Sequence, residues 1–150
     1  MVKKAPKKPA KLPTKLPKSA LPTMRCFLAC DYAGRVAADN GEKTSLQGVF
    51  NVVWVENVPA AYGQFFLFIQ LYGGKVKSAL KIIATNGSGK KVMELITSTA
   101  IPFEPNETRE VMAKVPILPV EEMSDIQFVA SINGQKIGWP LLLEISKNSN

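Results

Sequence analysis

KVKSALKIIATNGSGKKVMELI, residues 75–96, decides how this chain folds. Val76, Ser78, Leu80, Ile82 and Ala84 alternate with Lys75, Lys77, Ala79, Lys81 and Ile83. A period of two puts one set on each face of a half-exposed strand, whereas an amphipathic helix repeats its apolar residues every three to four positions. Asn86-Gly87 and Gly89 then supply a hairpin turn, because these residues accept the left-handed backbone that a tight reversal needs. Beyond the turn Met93, Leu95 and Ile101 share one face, with Glu94 and Ser98 on the other.

The same period runs outward in both directions. Val111, Ala113, Val115 and Ile117 alternate with Glu110, Met112 and Lys114. Ile126, Phe128, Ala130 and Ile132 form a further apolar face, followed by a second hairpin signal at Asn133-Gly134. The last predicted strand offers Ile137, Trp139, Leu141 and Leu143, and Pro140, which cannot donate to a ladder, places it at an edge or a bulge. Phe65–Leu71 and Gly48–Val55 are apolar on both faces and are predicted as central strands, with Gly48 marking a bulge. Ala33–Thr44 is read as a loop between the cysteine-containing strand and the next. No helical period is sustained. About eight strands separated by turns predict an all-β fold, an antiparallel β-sandwich of immunoglobulin-like or C2-like type, with an up-and-down barrel as the alternative.

The charge is divided as sharply as the hydropathy. Met1–Thr23 carries Lys3, Lys4, Lys7, Lys8, Lys11, Lys15 and Lys18 and no acidic residue. These seven lysines equal the net charge of +7, so residues 24–150 are balanced. Pro6, Pro9, Pro13, Pro17 and Pro22 block a helix and favour an extended path. The predicted organisation is therefore a disordered basic tail over 1–23 and one β-sandwich domain over 24–150. A domain of about 125 residues buries roughly two-thirds of its unfolded surface and needs no staple.

Compartment and chemistry follow from what the sequence contains. No apolar stretch approaches the roughly 18 residues of a membrane span, and the basic N-terminus is not followed by the apolar run of a signal peptide. The expectation is a cytoplasmic protein. Cys26 and Cys30, on one face of a strand, would lie about 13 Å apart, beyond the reach of a disulfide. The chain has no histidine, which removes the usual general base and the commonest transition-metal ligand. Gly87-Ser88-Gly89-Lys90 lacks the outer residues of a phosphate loop, having Ala84 and Lys91 where glycine and Ser or Thr belong. Glu121, Glu122 and Asp125, and Glu104, Glu107 and Glu110, read as solvated carboxylates.

The predicted function is accordingly non-catalytic, with no cofactor and no metal. The seven tail lysines are the candidate site: spaced cations without carboxylates bind nucleic acid or another polyanion weakly and non-specifically by releasing counterions. The neutral sandwich is expected to contact a protein partner or a second copy of itself. The alternative is a structural subunit of a phage or ribonucleoprotein assembly, its tail ordered against neighbours.

Phe27-Leu28-Ala29-Cys30-Asp31-Tyr32-Ala33, followed by Asn40-Gly41-Glu42-Lys43 and Ser45-Leu46-Gln47-Gly48-Val49-Phe50, resembles the opening of a family of uncharacterised bacterial proteins. Phe128-Val129-Ala130, Asn133-Gly134, Ile137-Gly138 and Pro140-Leu141 resemble that family's closing hairpin. The resemblance covers most of residues 25–145 and implies a bacterial or phage β-sandwich. It brings no activity, so no catalytic residue carries over, and the Lys/Pro tail departs from the family's compact pattern. Asp31 and Tyr32 stand at the heart of the motif; Asp31 is expected to cap the following loop.

Overall fold

A computed structural model describes Lys15 and residues 17–75, 77–97, 101–102 and 106–149. The chain forms β1 (Thr23–Ala38), β2 (Gly41–Phe50), β3 (Val52–Val55), β4 (Ala60–Tyr62), β5 (Phe65–Tyr72), β6 (Lys77–Ser78) and β7 (Leu80–Thr85). It continues with β8 (Lys91–Ile96), β9 (Ile101–Pro102), β10 (Thr108–Val115), β11 (Leu118–Val120), β12 (Ile126–Ile132), β13 (Gln135–Lys136) and β14 (Leu141–Lys147). A 3-10 turn, Lys18–Ala20, precedes β1. No α-helix occurs among the described residues.

Two sheets face each other across one core. The first has the order β10-β5-β1-β2 and the second β3-β14-β12-β7-β8. Phe27, Ala29, Phe65, Leu67, Ile69, Leu71 and Val111 come from the first sheet, and Leu80, Ile82, Ala84, Ile126, Phe128, Ala130, Leu143 and Ile145 from the second. These residues sit on alternate positions of their strands because only one face of each strand points inward. The rings of Phe65 and Phe128 meet across the gap at 6.5 Å. The fold is all-β and sandwich-like, as the alternation predicts. It is not purely antiparallel, since β14 pairs with β3 in parallel.

The sequence reading needs correction at several places, among them Ile101, which does not continue β8 but lies on β9 paired with Ser78. Gly48–Val55 is not one central strand: the chain leaves the first sheet at Phe50, crosses at Asn51, and enters the second sheet at Val52. Both halves are edge strands, and a period of two does not register a change of sheet. Ala33–Thr44 is not a loop but the far end of a long hairpin, paired from Ala33↔Leu46 to Ala38↔Gly41 around Asp39-Asn40. Gly48 is not a bulge, because β1 and β2 keep one register across it, Cys30↔Val49 and then Tyr32↔Gln47. It has φ +62°, and a Cβ there would lie 2.0 Å from a carboxylate oxygen of Asp31. Finally, Ile137–Trp139 lies outside the last strand. Gly138, at φ +62° and against Met24, breaks the run, so Leu143 and Ile145 turn inward while Trp139 is 50% exposed.

The residues just before β1 pack against the domain. Pro22 is buried, Ala20 and Leu21 pack against the core, and the Lys75 amide donates to the Ala20 carbonyl at 2.9 Å.

Both predicted hairpin turns form, and the first is clamped by a distant loop. Asn86 is buried, and its Oδ1 accepts from Ser88 Oγ at 2.8 Å and the Lys90 amide at 2.9 Å. The Gly87 and Ser88 amides donate to Ser124 Oγ and Glu122 Oε1 at 3.0 and 3.1 Å. The donors that a phosphate loop would offer are therefore already taken. The Ser124 hydroxyl, the Ser88 amide and the Lys90 charge hold the Glu122 carboxyl below the usual carboxylate range. A depressed folded-state pKa stabilises the native state above the unfolded-state value, and that stability is lost as pH falls through the folded one. Acid titration of thermal stability should thus show a steeper loss below about pH 5 in the wild type than in Glu122→Gln. Superimposable acid limbs would refute the clamp.

Candidate functional site

Part of the first sheet's outer face is covered by the chain's own hairpin. Glu110 on β10 pairs with Gln70 on β5, which pairs with Cys26 on β1. Arg35 lies nine residues beyond Cys26, and a straight strand would carry it about 30 Å away. Yet the Arg35 guanidinium is 3.5 Å from Glu110 Oε2, and the Thr44 hydroxyl donates to the same oxygen. The hairpin must curl back over the sheet, and the left-handed backbone at Gly48 lies at the start of that curl. Beneath it Cys30, Ala33 and Phe68 are buried although they lie outside the main core.

Between the hairpin and β10 lies a charged cleft of about 410 Å³, lined by Arg35, Glu42, Lys43, Thr44, Thr108, Arg109 and Glu110. Gln70 Nε2 donates to the other Glu110 oxygen at 3.4 Å, so this carboxylate holds three elements together. Its truncation leaves Thr44, Gln70 and Arg35 without their shared acceptor. Hydrogen bonds to charged groups contribute about 1.5–3 kcal/mol, and Arg35 is exposed enough to weaken its share. Glu110→Ala is therefore expected to cost about 1–2 kcal/mol and to speed amide exchange selectively over residues 33–46. Unchanged exchange there would mean that the hairpin is held by something else.

Around the start of β1 the charge is more one-sided. The Arg25 guanidinium carbon lies 3.9 Å from the centroid of the Tyr72 ring, and the Tyr72 hydroxyl donates to Asn106 Oδ1 at 3.1 Å. Lys15, Lys18, Arg25 and Lys75 are all exposed. Nearby, Arg109 pairs with Glu107 at 2.8 Å, and the Glu107 carbonyl accepts from the Gly73 amide. Of the seven candidate tail residues, Lys15 and Lys18 are placed at this end of the sheet. Lys3, Lys4, Lys7, Lys8 and Lys11 lie outside the described residues.

The other sequence candidates are accounted for by local pairing. Lys81 and Lys91 both reach Glu94, at 3.5 and 3.2 Å, and hold its carboxyl below the usual range. Lys90 pairs with Glu121. Three of the lysines between residues 75 and 91 are thus paired with carboxylates. Cys26 and Cys30 are free thiols, and burial pushes both up, Asp31 adding to the effect at Cys30. Thiols raised in this way are poor nucleophiles at neutral pH. Asp31 is exposed and lies against Gly48, while the Tyr32 ring packs edge-on against Phe66 at 6.2 Å. The motif residues shape the hairpin's bend.

The geometry defines an all-β, sandwich-like domain with a curled hairpin over one sheet and a cluster of exposed cations where its lysine-rich N-terminal segment joins. The chain belongs to DUF6941, a family of unknown function, which matches residues 25–142. Comparison with curated proteins gives no match. No described helix is long and apolar enough to cross a membrane.

Proposed function

We propose that this protein is a non-catalytic binding module whose lysine-rich N-terminal segment attracts nucleic acid or another polyanion, while its neutral β domain contacts a protein partner. The observation that carries the reading is the segregation of charge: the whole net charge of +7 falls in the first 23 residues. Exposed Lys15 and Lys18 continue into exposed Arg25 and Lys75 on the domain. A cationic segment of this kind raises the local concentration of a polyanion and binds it in a strongly salt-dependent way. Trp54, Trp139 and Leu142 are each at least half exposed. Large exposed aromatic side chains are favoured at protein interfaces, where they supply rigid contact area. Among the described residues β2 and β3 lie at sheet edges, to which an extended segment of a partner can pair.

The test is a fluorescence-anisotropy titration of the full chain against duplex DNA, single-stranded RNA and inorganic polyphosphate at several salt concentrations. Binding to all three, weakening steeply with salt, supports a polyanion module. Absence of binding to any of them at about 150 mM salt removes the reading.

A further inference from the structure

Two cations beyond the lysine-rich segment stand where that segment joins the domain, and one of them is stacked. Arg25 occupies the register irregularity between Met24 and Cys26, which turns its side chain onto the Tyr72 ring at 3.9 Å. Tyr72 is itself fixed by its hydrogen bond to Asn106 and by pairing with Thr23 and Thr108 on either side. The guanidinium is thereby held against an aromatic face while the residue stays exposed. Lys75 is brought alongside through the hydrogen bond its amide donates to the carbonyl of Ala20, two residues after Lys18.

We infer that this Arg25–Tyr72 pair is a base-stacking platform, flanked by Lys18 and Lys75 as phosphate contacts, and that the preferred polyanion is a single-stranded nucleic acid. The inference rests on the polyanion reading above and narrows it. The physical reason is that a phosphate chain alone needs only charge, whereas a positioned guanidinium plane offers a surface on which an unpaired base can stack. A duplex keeps its bases stacked inside and gains nothing from the plane. Lys18 and Lys75 then contact phosphates while the pair holds one base.

Arg25→Lys separates the two contributions, since it keeps the charge and removes the plane. With the full chain and a labelled oligouridine, Arg25→Lys is expected to weaken binding about tenfold while leaving the salt slope unchanged. On a duplex of equal length the same variant should bind as the wild type does. Lys75→Gln should lower the single-strand slope by about 0.7, the value of one phosphate contact. If Arg25→Lys binds oligouridine as tightly as the wild type, or loses duplex and single strand equally, the stacking platform is refuted and the polyanion module stands. If the wild type binds neither probe, both fall together.

Discussion

Phe65→Ala is expected to cost about 3–5 kcal/mol, the largest stability loss of any single substitution argued for this protein. Phe65 is fully buried at the start of β5, the strand flanked by β10 and β1 in the first sheet. Its ring contacts Phe50 at 5.4 Å, Tyr62 at 5.8 Å and Phe128 at 6.5 Å. Those partners belong to the crossing strand, the small β4 segment and the second sheet, so one side chain joins four parts of the fold. Deleting it removes the transfer free energy of the ring and leaves a cavity that stiff neighbouring strands cannot close. Domains of this size have only about 5–15 kcal/mol of total stability, so the variant will be substantially unfolded under mild denaturant. Urea denaturation followed by tryptophan fluorescence measures it. Phe66→Ala, one residue along and facing away from the core, should lose less than half as much. Equal losses at the two positions would mean that the assignment of faces on β5 is wrong.

Replacing Lys3, Lys4, Lys7, Lys8, Lys11, Lys15 and Lys18 together by Gln is the variant with the largest expected effect on binding. Each lysine that neutralises a phosphate on duplex DNA contributes about −0.9 to the slope of log K against log salt. Seven engaged lysines give a slope of roughly −6, and their loss corresponds to several orders of magnitude in affinity at low salt. Lys15 and Lys18 are exposed and the substitutions introduce no new charge, so urea stability should stay at the wild-type value. Loss of binding with unchanged stability assigns the effect to the segment. Loss of both would show that these lysines support the fold instead.

How much of this was legible in the sequence differs from element to element. β7 and β12 could be read because each buries one face completely and leaves the other half-exposed, which is the condition for a clean period of two. Asn133-Gly134 could be read because both residues take positive φ, as a two-residue hairpin turn demands. The outer half of the β1–β2 hairpin could not, since Ala33–Thr44 is short of large apolar residues and mixes alanine with charge. Its pairing is made by backbone hydrogen bonds that leave no mark on side-chain pattern.

Glu110 looked like a surface carboxylate for a similar reason. Its partner Thr44 is 66 residues away in the chain, and nothing local to residue 110 announces it. The curl of the hairpin, set by Gly48 and Asp31, is what brings them together. The segregated lysines, by contrast, were plain from composition alone, whereas the stacked Arg25–Tyr72 pair needed the register of β1 against β5.

The most direct test of the proposed function is the salt dependence of full-chain binding to duplex DNA. The account predicts a log–log slope of roughly −6 when all seven lysines engage, falling toward the contribution of the domain's own cations in the seven-lysine variant. A slope near zero, or equal slopes for the two proteins, would contradict it.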